Sequence, residues 1–139
     1  MRVVLDTNIL ISACWKQDGL EGRTVGLGAA GAFVPCVTAE MQKEYREVLS
    51  RKKFAALQAT ADRILSGFVD RCLLVAAGTP VHAASDEDDN RFLECAEAAG
   101  AAYLVTGNLR HYPEQWGGTK VVNARQFLAA EFGAIAPTD

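Results

Sequence analysis

Excess positive charge is missing from this chain. Fourteen Lys and Arg stand against 17 Asp and Glu, leaving a net charge of −3 and a pI near 5.4. That excludes a global basic field for nucleic acid, so any such binding must use a local patch. Cysteines at metal-binding spacing are missing too. Cys14, Cys36, Cys72 and Cys95 lie far apart in apolar surroundings with no C-x-x-C, which predicts small buried hydrophobes in a reducing cytoplasm rather than disulfides or zinc ligands. The two histidines, His82 and His111, are separated and read as lone surface or loop residues. No apolar stretch approaches the roughly 20 residues of a membrane span, and Asp6 breaks the first apolar run too early for a signal peptide. Repeats, low-complexity segments and linkers are absent from the sequence. A chain of 139 residues, half of them apolar and 22% charged, is expected to form one globular domain over 1–139 with room for a real core.

What the sequence does have is an alternation of short apolar runs with helical patterns. Val3-Val4-Leu5 reads as a strand buried on both faces. A short helix follows over 8–15, and an Ala/Gly-rich helix over 22–31 despite its glycines. Phe33–Val37 is a second buried strand. Thr38 caps a third helix running to about Lys53, with Met41, Tyr45, Val48 and Leu49 at helical spacing. A helix over 60–70 leads to Leu73-Leu74-Val75, a short strand or the helix end, and then an acid-rich loop over 81–88. Asn90–Ala99 is helical with Gly100 suited to its C′ position, Tyr103–Thr106 is a strand, and Val121-Val122 is a last short one. Asn123 then caps a final helix, with Gln126 completing a capping box. Strands alternating with helices predict a three-layer α/β/α fold around a central, mostly parallel sheet.

The acids fall at informative places in that pattern. Asp6 sits at the carboxyl end of the first strand, the edge where open α/β sheets hold ligands. Glu44 lies three residues after Met41 and four before Val48, so it shares their inward side, where an uncompensated carboxylate is costly. Asp89 lies above the buried face that starts at Phe92 and Leu93. The run Asp86-Glu87-Asp88-Asp89 supplies more acid than capping a first turn needs, and a bound cation would relieve its repulsion. Thr106 and Asn108 end another strand. Oxygen ligands converging on one sheet edge favour Mg²⁺ or Mn²⁺ over zinc, and such a cation can activate water against a phosphodiester. Each position also has a plain structural reading as a cap, a turn or a solvated face; it is the set that argues for a site. A D-x-D aspartyl phosphotransferase would need an acid where Asn8 stands, and a receiver domain would need paired acids after the first strand.

The segments Val3-Val4-Leu5-Asp6-Thr7-Asn8-Ile9-Leu10, Glu44–Leu49, Asp86–Leu93 and Leu104–Asn108 together resemble the PIN domain family over nearly the whole chain. Arg110-His111-Tyr112-Pro113 resembles its branch of VapC-like toxins from toxin–antitoxin systems. The resemblance implies a Mg²⁺/Mn²⁺-dependent ribonuclease with Asp6, Glu44 and Asp89 as its acidic triad, and Asn8 and Thr106 as supporting polar residues. The family's fourth acid falls on Asn108, which can ligate through oxygen but carries no charge, so a second metal would be held less firmly; Asp88 is a candidate for part of the missing charge. The partners implied are RNA and a cognate antitoxin, with a homo-oligomer left open. Arg46, Arg51, Lys52, Lys53 and Arg110 are candidate phosphate contacts, set against the plain reading of a solvated helix end. Tyr112 and Trp116 are candidates for stacking on bases or for local packing. The alternative is a degenerate module that binds RNA or a protein without cutting.

Overall fold

In the computed structural model, residues 1–133 are described; the expected domain end at 139 lies outside them. Six strands form one sheet in the order β3-β2-β1-β4-β6-β5. They are β1 (Arg2–Leu5), β2 (Val34–Val37), β3 (Leu73–Leu74), β4 (Tyr103–Val105), β5 (Gln115–Trp116) and β6 (Thr119–Val122). All neighbours run parallel except β5 and β6. Val3, Val4 and Leu5 are fully buried, as are Leu104 and Val105, which is the continuous apolar character that a parallel sheet covered on both faces demands.

Six α-helices cover the sheet, giving three layers: α1 (Thr7–Trp15), α2 (Leu20–Ala29), α3 (Ala39–Leu49), α4 (Gln58–Val69), α5 (Asn90–Ala99) and α6 (Ala124–Phe132). Helix α5 packs on β1, β2 and β4, whereas α6 packs on β4 and α2. In the core Phe127 sets its ring edge-on to Phe33 and Tyr103, each with centroids 5.3 Å away. The caps follow the sequence closely. The Thr38 side chain accepts from the Met41 N–H, Asn123 and Gln126 form the reciprocal box, and Gly100 takes the left-handed φ of +61° that ends α5.

Three segments depart from expectation. Helix α3 stops at Leu49 instead of continuing to Lys53. Arg51 is extended and a 3-10 helix follows over Lys52–Leu57, because Phe54 turns in to bury there. Helix α4 starts two residues early, at Gln58, whose side chain donates to the Leu49 carbonyl and bridges the break. Finally, β5 and the first half of β6 form a hairpin turned by Gly117 (φ +56°) and Gly118, an addition to the single short strand expected at 121–122.

For function the register matters most. The strand order switches direction between the parallel neighbours β1 and β4, since β2 and β3 extend to one side and β4, β6 and β5 to the other. Leu5 pairs with Val105, so Asp6 and Thr106 emerge side by side at the carboxyl edge, where the strand order opens a crevice.

Candidate functional site

Asp6 is 4% exposed. Its backbone N–H donates to the Val105 carbonyl at 2.9 Å, which fixes the residue to β4 before its side chain does anything. One carboxylate oxygen, Oδ2, accepts from the Thr106 hydroxyl at 2.8 Å and from the Tyr112 hydroxyl at 2.9 Å. Burial nevertheless dominates and raises the Asp6 pKa above the usual carboxylate range, against the lowering effect of those two donors.

Thr106 is a hub. Besides donating to Asp6, its fully buried hydroxyl accepts from the Asn108 N–H at 3.0 Å, and the Asn8 amide nitrogen lies at 3.5 Å. Asn8 in turn accepts from the Gly107 N–H at 2.8 Å. This contact explains the glycine: a Cβ there would sit 3.2 Å from the Asn8 oxygen. The Asn108 side chain is exposed.

Glu44 arrives from α3. The buried stripe of that helix is Met41, Tyr45 and Leu49, with Glu44 half-buried beside it. The Tyr45 hydroxyl, fully buried, donates to the Leu5 carbonyl at 2.6 Å and locks α3 to the end of β1. Glu44 itself accepts from the Thr7 hydroxyl. Its carboxyl is raised by burial first, and also by the negative charges of Asp6, Asp88 and Asp89.

Asp89 stands at the start of α5, 15% exposed at its side chain. Burial and then the Asp6 charge push its pKa up to about 6, against a lowering by His111. Its Oδ2 lies 3.1 Å from His111 Nδ1. Asp86, Asp89 and His111 offer ligand atoms all within 4.8 Å of one another, a set that among the described residues does not extend to Asp6 or Glu44. The three acids of the expected triad thus come from three elements and feel one another's charge without forming so close a group, while the tighter grouping pairs Asp89 with Asp86 and a histidine.

The acid run divides by role. Asp86 also caps the turn, accepting from the Asp88 N–H at 3.0 Å, and Glu87 pairs with Arg91 at 3.1 Å and with the Asn90 amide at 3.0 Å. Capping accounts for one oxygen of Asp86, and the plain reading of a solvated, ion-paired acid accounts for Glu87. Beneath them Asn90, fully buried, accepts from the N–H groups of Ala83 and Ala84, and buried Glu94 accepts from the Val81 N–H. These two polar side chains pin the 81–84 loop to α5 and so fix the approach of the acid run.

His111 is a correction: the lone loop histidine expected from sequence touches an acid of the site. His82 is 71% exposed at its side chain and 3.5 Å from Glu87. Tyr112 packs inside, against Asp6, and burial raises its hydroxyl far above its ordinary range. Thr7 and Asp86 also join the site. The segment Arg110–Pro113 stands out only by family resemblance; no local pattern shows that His111 and Tyr112 meet Asp89 and Asp6, because those partners lie 22 and 106 residues away.

The candidate cations are dispersed. Arg46, two positions after Glu44, falls on another side of α3; it lines a separate pocket with Gln58 and Asp62. Arg51 pairs with Glu47 at 3.7 Å, both exposed, Lys53 covers the Phe54 ring at 5.2 Å, and Lys52 is exposed. Arg110 lines a cleft of about 520 Å³ with Lys120 and Gln126. A second cleft, about 400 Å³, begins at Asn8, Thr106 and Asn108 and reaches Arg125. An apolar groove of about 300 Å³ between α1, α2 and α4 includes none of the acids. The four cysteines are free; burial pushes Cys72 and Cys95 up to about 12, so they remain protonated thiols.

The donor set fits a divalent cation: carboxylates that burial and mutual repulsion hold above their ordinary pKa gain from a positive charge between them. Comparison with known proteins points the same way. A family model described as PIN domain matches residues 2–110. The uncharacterized protein MJ1680 of Methanocaldococcus jannaschii is 29% identical over 111 residues, covering 78% of this chain and 71% of that one. Among solved structures, VapBC2 from Rickettsia felis bound to a DNA fragment from its promoter superposes with a TM-score of 0.61 at 18% identity, covering 88% of this chain and 98% of that chain.

Proposed function

Since the chain belongs to the PIN domain family, whose members are generally nucleases, we propose that it is an endoribonuclease that hydrolyses RNA phosphodiesters with Mg²⁺ or Mn²⁺, and that it acts as the toxin of a toxin–antitoxin pair. The observation that carries the reading is the placing of three acids from three elements at the β1/β4 crevice, where burial raises Asp6 and the Asp6 charge adds to burial in raising Glu44 and Asp89. Three acids from three elements, so placed, are costly to the fold unless a cation is part of the working state.

Asp6, Glu44 and Asp89 hold the cation, with Asn108 at its margin and Asp88 adding negative charge. When bound, the cation supplies an activated water and neutralises charge on the phosphodiester. The protein's own groups do the rest. Thr106 and Tyr112 aim the Asp6 oxygen, Thr7 aims Glu44, and Asn8 with Gly107 holds the loop that presents Asn108. Arg110 and Lys120 in the neighbouring cleft meet the RNA backbone, and Arg51, Lys52 and Lys53 extend that reach, so binding weakens steeply with salt. The likeness to VapBC2 supports a protein antitoxin as the partner that silences the site. Work in the cytoplasm accords with four free cysteines and with the finding that no helix among the described residues is long and apolar enough to cross a membrane. A homo-oligomer is compatible with this reading.

Purified protein incubated with RNA in Mg²⁺ or Mn²⁺ should cleave it, and EDTA, Asp6→Asn and Asp89→Asn should each stop cleavage. Cutting that survives EDTA, or survives in both variants, defeats the proposal. Asn108, where an acid would hold a second cation, favours one other reading: a module that binds RNA or protein without cutting. That reading predicts RNA retention with no cleavage in any metal, and no Mn²⁺-dependent rise in melting temperature that Asp6→Asn abolishes.

A further inference from the structure

Position 108 carries no charge, yet the site has a donor that an all-carboxylate arrangement would lack. His111 Nδ1 is 3.1 Å from Asp89 Oδ2, and its ligand atom lies within 4.8 Å of those of both Asp86 and Asp89. The imidazole is held in place from its backbone. The His111 N–H donates to the Asn108 carbonyl at 3.0 Å, and its own carbonyl accepts from the Ser85 N–H at 2.8 Å. The Asn108–His111 turn is thereby stitched to the loop that delivers Asp86 and Asp89. The next residue, Tyr112, bonds Asp6, so two consecutive side chains reach the two acids on opposite sides of the crevice.

We propose that His111 is a direct ligand of the catalytic cation, taking with a nitrogen the place left by the uncharged Asn108, and that it makes the site prefer Mn²⁺ to Mg²⁺. The inference rests on the metal-dependent reading above and deepens it. Mg²⁺ demands oxygen ligands and keeps its waters, whereas imidazole suits first-row transition ions, so one nitrogen donor is a discriminator between the two. Asp89, which bonds His111 and feels the Asp6 charge, would be the acid shared between the imidazole side and the Asp6 side of the crevice. Asp86 keeps its capping bond through Oδ1 and has its second oxygen for the same cation.

The rival geometry leaves His111 outside the coordination sphere, merely orienting Asp89. Electron spin-echo spectroscopy of Mn²⁺ bound to the full chain separates the two, because only a coordinated imidazole imprints nitrogen modulation on the metal. Wild type and His82→Gln should show the modulation, and His111→Gln and His111→Ala should lose it while still binding Mn²⁺. With only two histidines in the chain the assignment is unambiguous. Calorimetric titration should show the Mn²⁺-over-Mg²⁺ affinity ratio falling about tenfold in His111→Ala. Mn²⁺ bound to wild type without nitrogen modulation, or modulation that survives in both His111 variants, overturns this inference and leaves the nuclease reading standing. No Mn²⁺ binding by wild type overturns both.

Discussion

Replacing Asp89 with asparagine should make the metal-free protein more stable, which is the reverse of what losing a structural contact does. The carboxyl of Asp89 is pushed up from 3.8 to about 6 by burial and by the Asp6 charge. A folded-state pKa above the unfolded one means that ionisation opposes folding. The contribution is intact below about pH 4 and is lost as pH rises through about 6. Two units at 1.36 kcal/mol each set an upper limit of about 3 kcal/mol, and screening at a crevice open to solvent reduces that to about 1–2 kcal/mol. Asn keeps the shape and an oxygen for His111 while removing the charge. For a chain of 139 residues, each kcal/mol moves the melting temperature by about 3–5 °C. Asp89→Asn should therefore melt about 3–10 °C above wild type at pH 8 in EDTA and level with it at pH 4. Mn²⁺ at a hundred times its Kd should return about 2.7 kcal/mol to the wild type and far less to the variant. Circular-dichroism melts at the two pH values, with chelator and with metal, make the comparison. A variant that melts below wild type at pH 8 in EDTA would show that Asp89 earns its place structurally, and the electrostatic reasoning about this crevice would fall with it.

Thr106→Val should cost about 1–3 kcal/mol in urea unfolding, because it strips a donor from Asp6 and leaves the Asn108 N–H without its acceptor; Thr106→Ser should recover most of it. Tyr112→Phe removes the other donor to Asp6 and so raises that carboxyl further. Mn²⁺ affinity measured by titration should drop more at pH 6 than at pH 8, and an equal drop at both would refute the assignment. Phe127→Ala, at the centre of the rings of Phe33, Tyr103 and Phe132, should cost about 3–5 kcal/mol in the same unfolding assay without changing the metal preference.

Periodicity and capping chemistry made most of the fold legible. The buried strands around Val4, Val37 and Leu104 and the caps at Thr38, Asn123 and Gly100 are local signals, and local signals survive in a single chain. The end of α3 was hidden because Arg51-Lys52-Lys53 are good helix formers, and the reason to break, a buried Phe54, is tertiary. Strand β5 is two residues long, too short to show alternation. The site divides along the same line. Asp6, Glu44 and Asp89 stand out in the sequence because each sits at the margin of an apolar pattern. Arg46 was placed with the candidate cations by nearness in sequence, although two positions along a helix turn it off the face of Glu44. His111 and Tyr112 sit in a loop with no pattern to disturb, so only the folded chain reveals which acids they meet.

The crevice has one wall that cannot give and one that can. Asp6 is rooted in the centre of the sheet, tied by its own amide to β4, so shifting it would mean shearing the two middle strands. Across from it, Asp86 and His111 ride on surface segments joined by the Ser85 amide and hydroxyl, both donating to the His111 carbonyl, and by the His111–Asp89 contact. Like a vice with a fixed jaw, the molecule can change its grip on an ion or a substrate only by moving the outer side. Natural variation or engineering aimed at a different metal has its freedom there, in residues 85–88 and 108–111, while the buried run from Val3 to Asp6 has none.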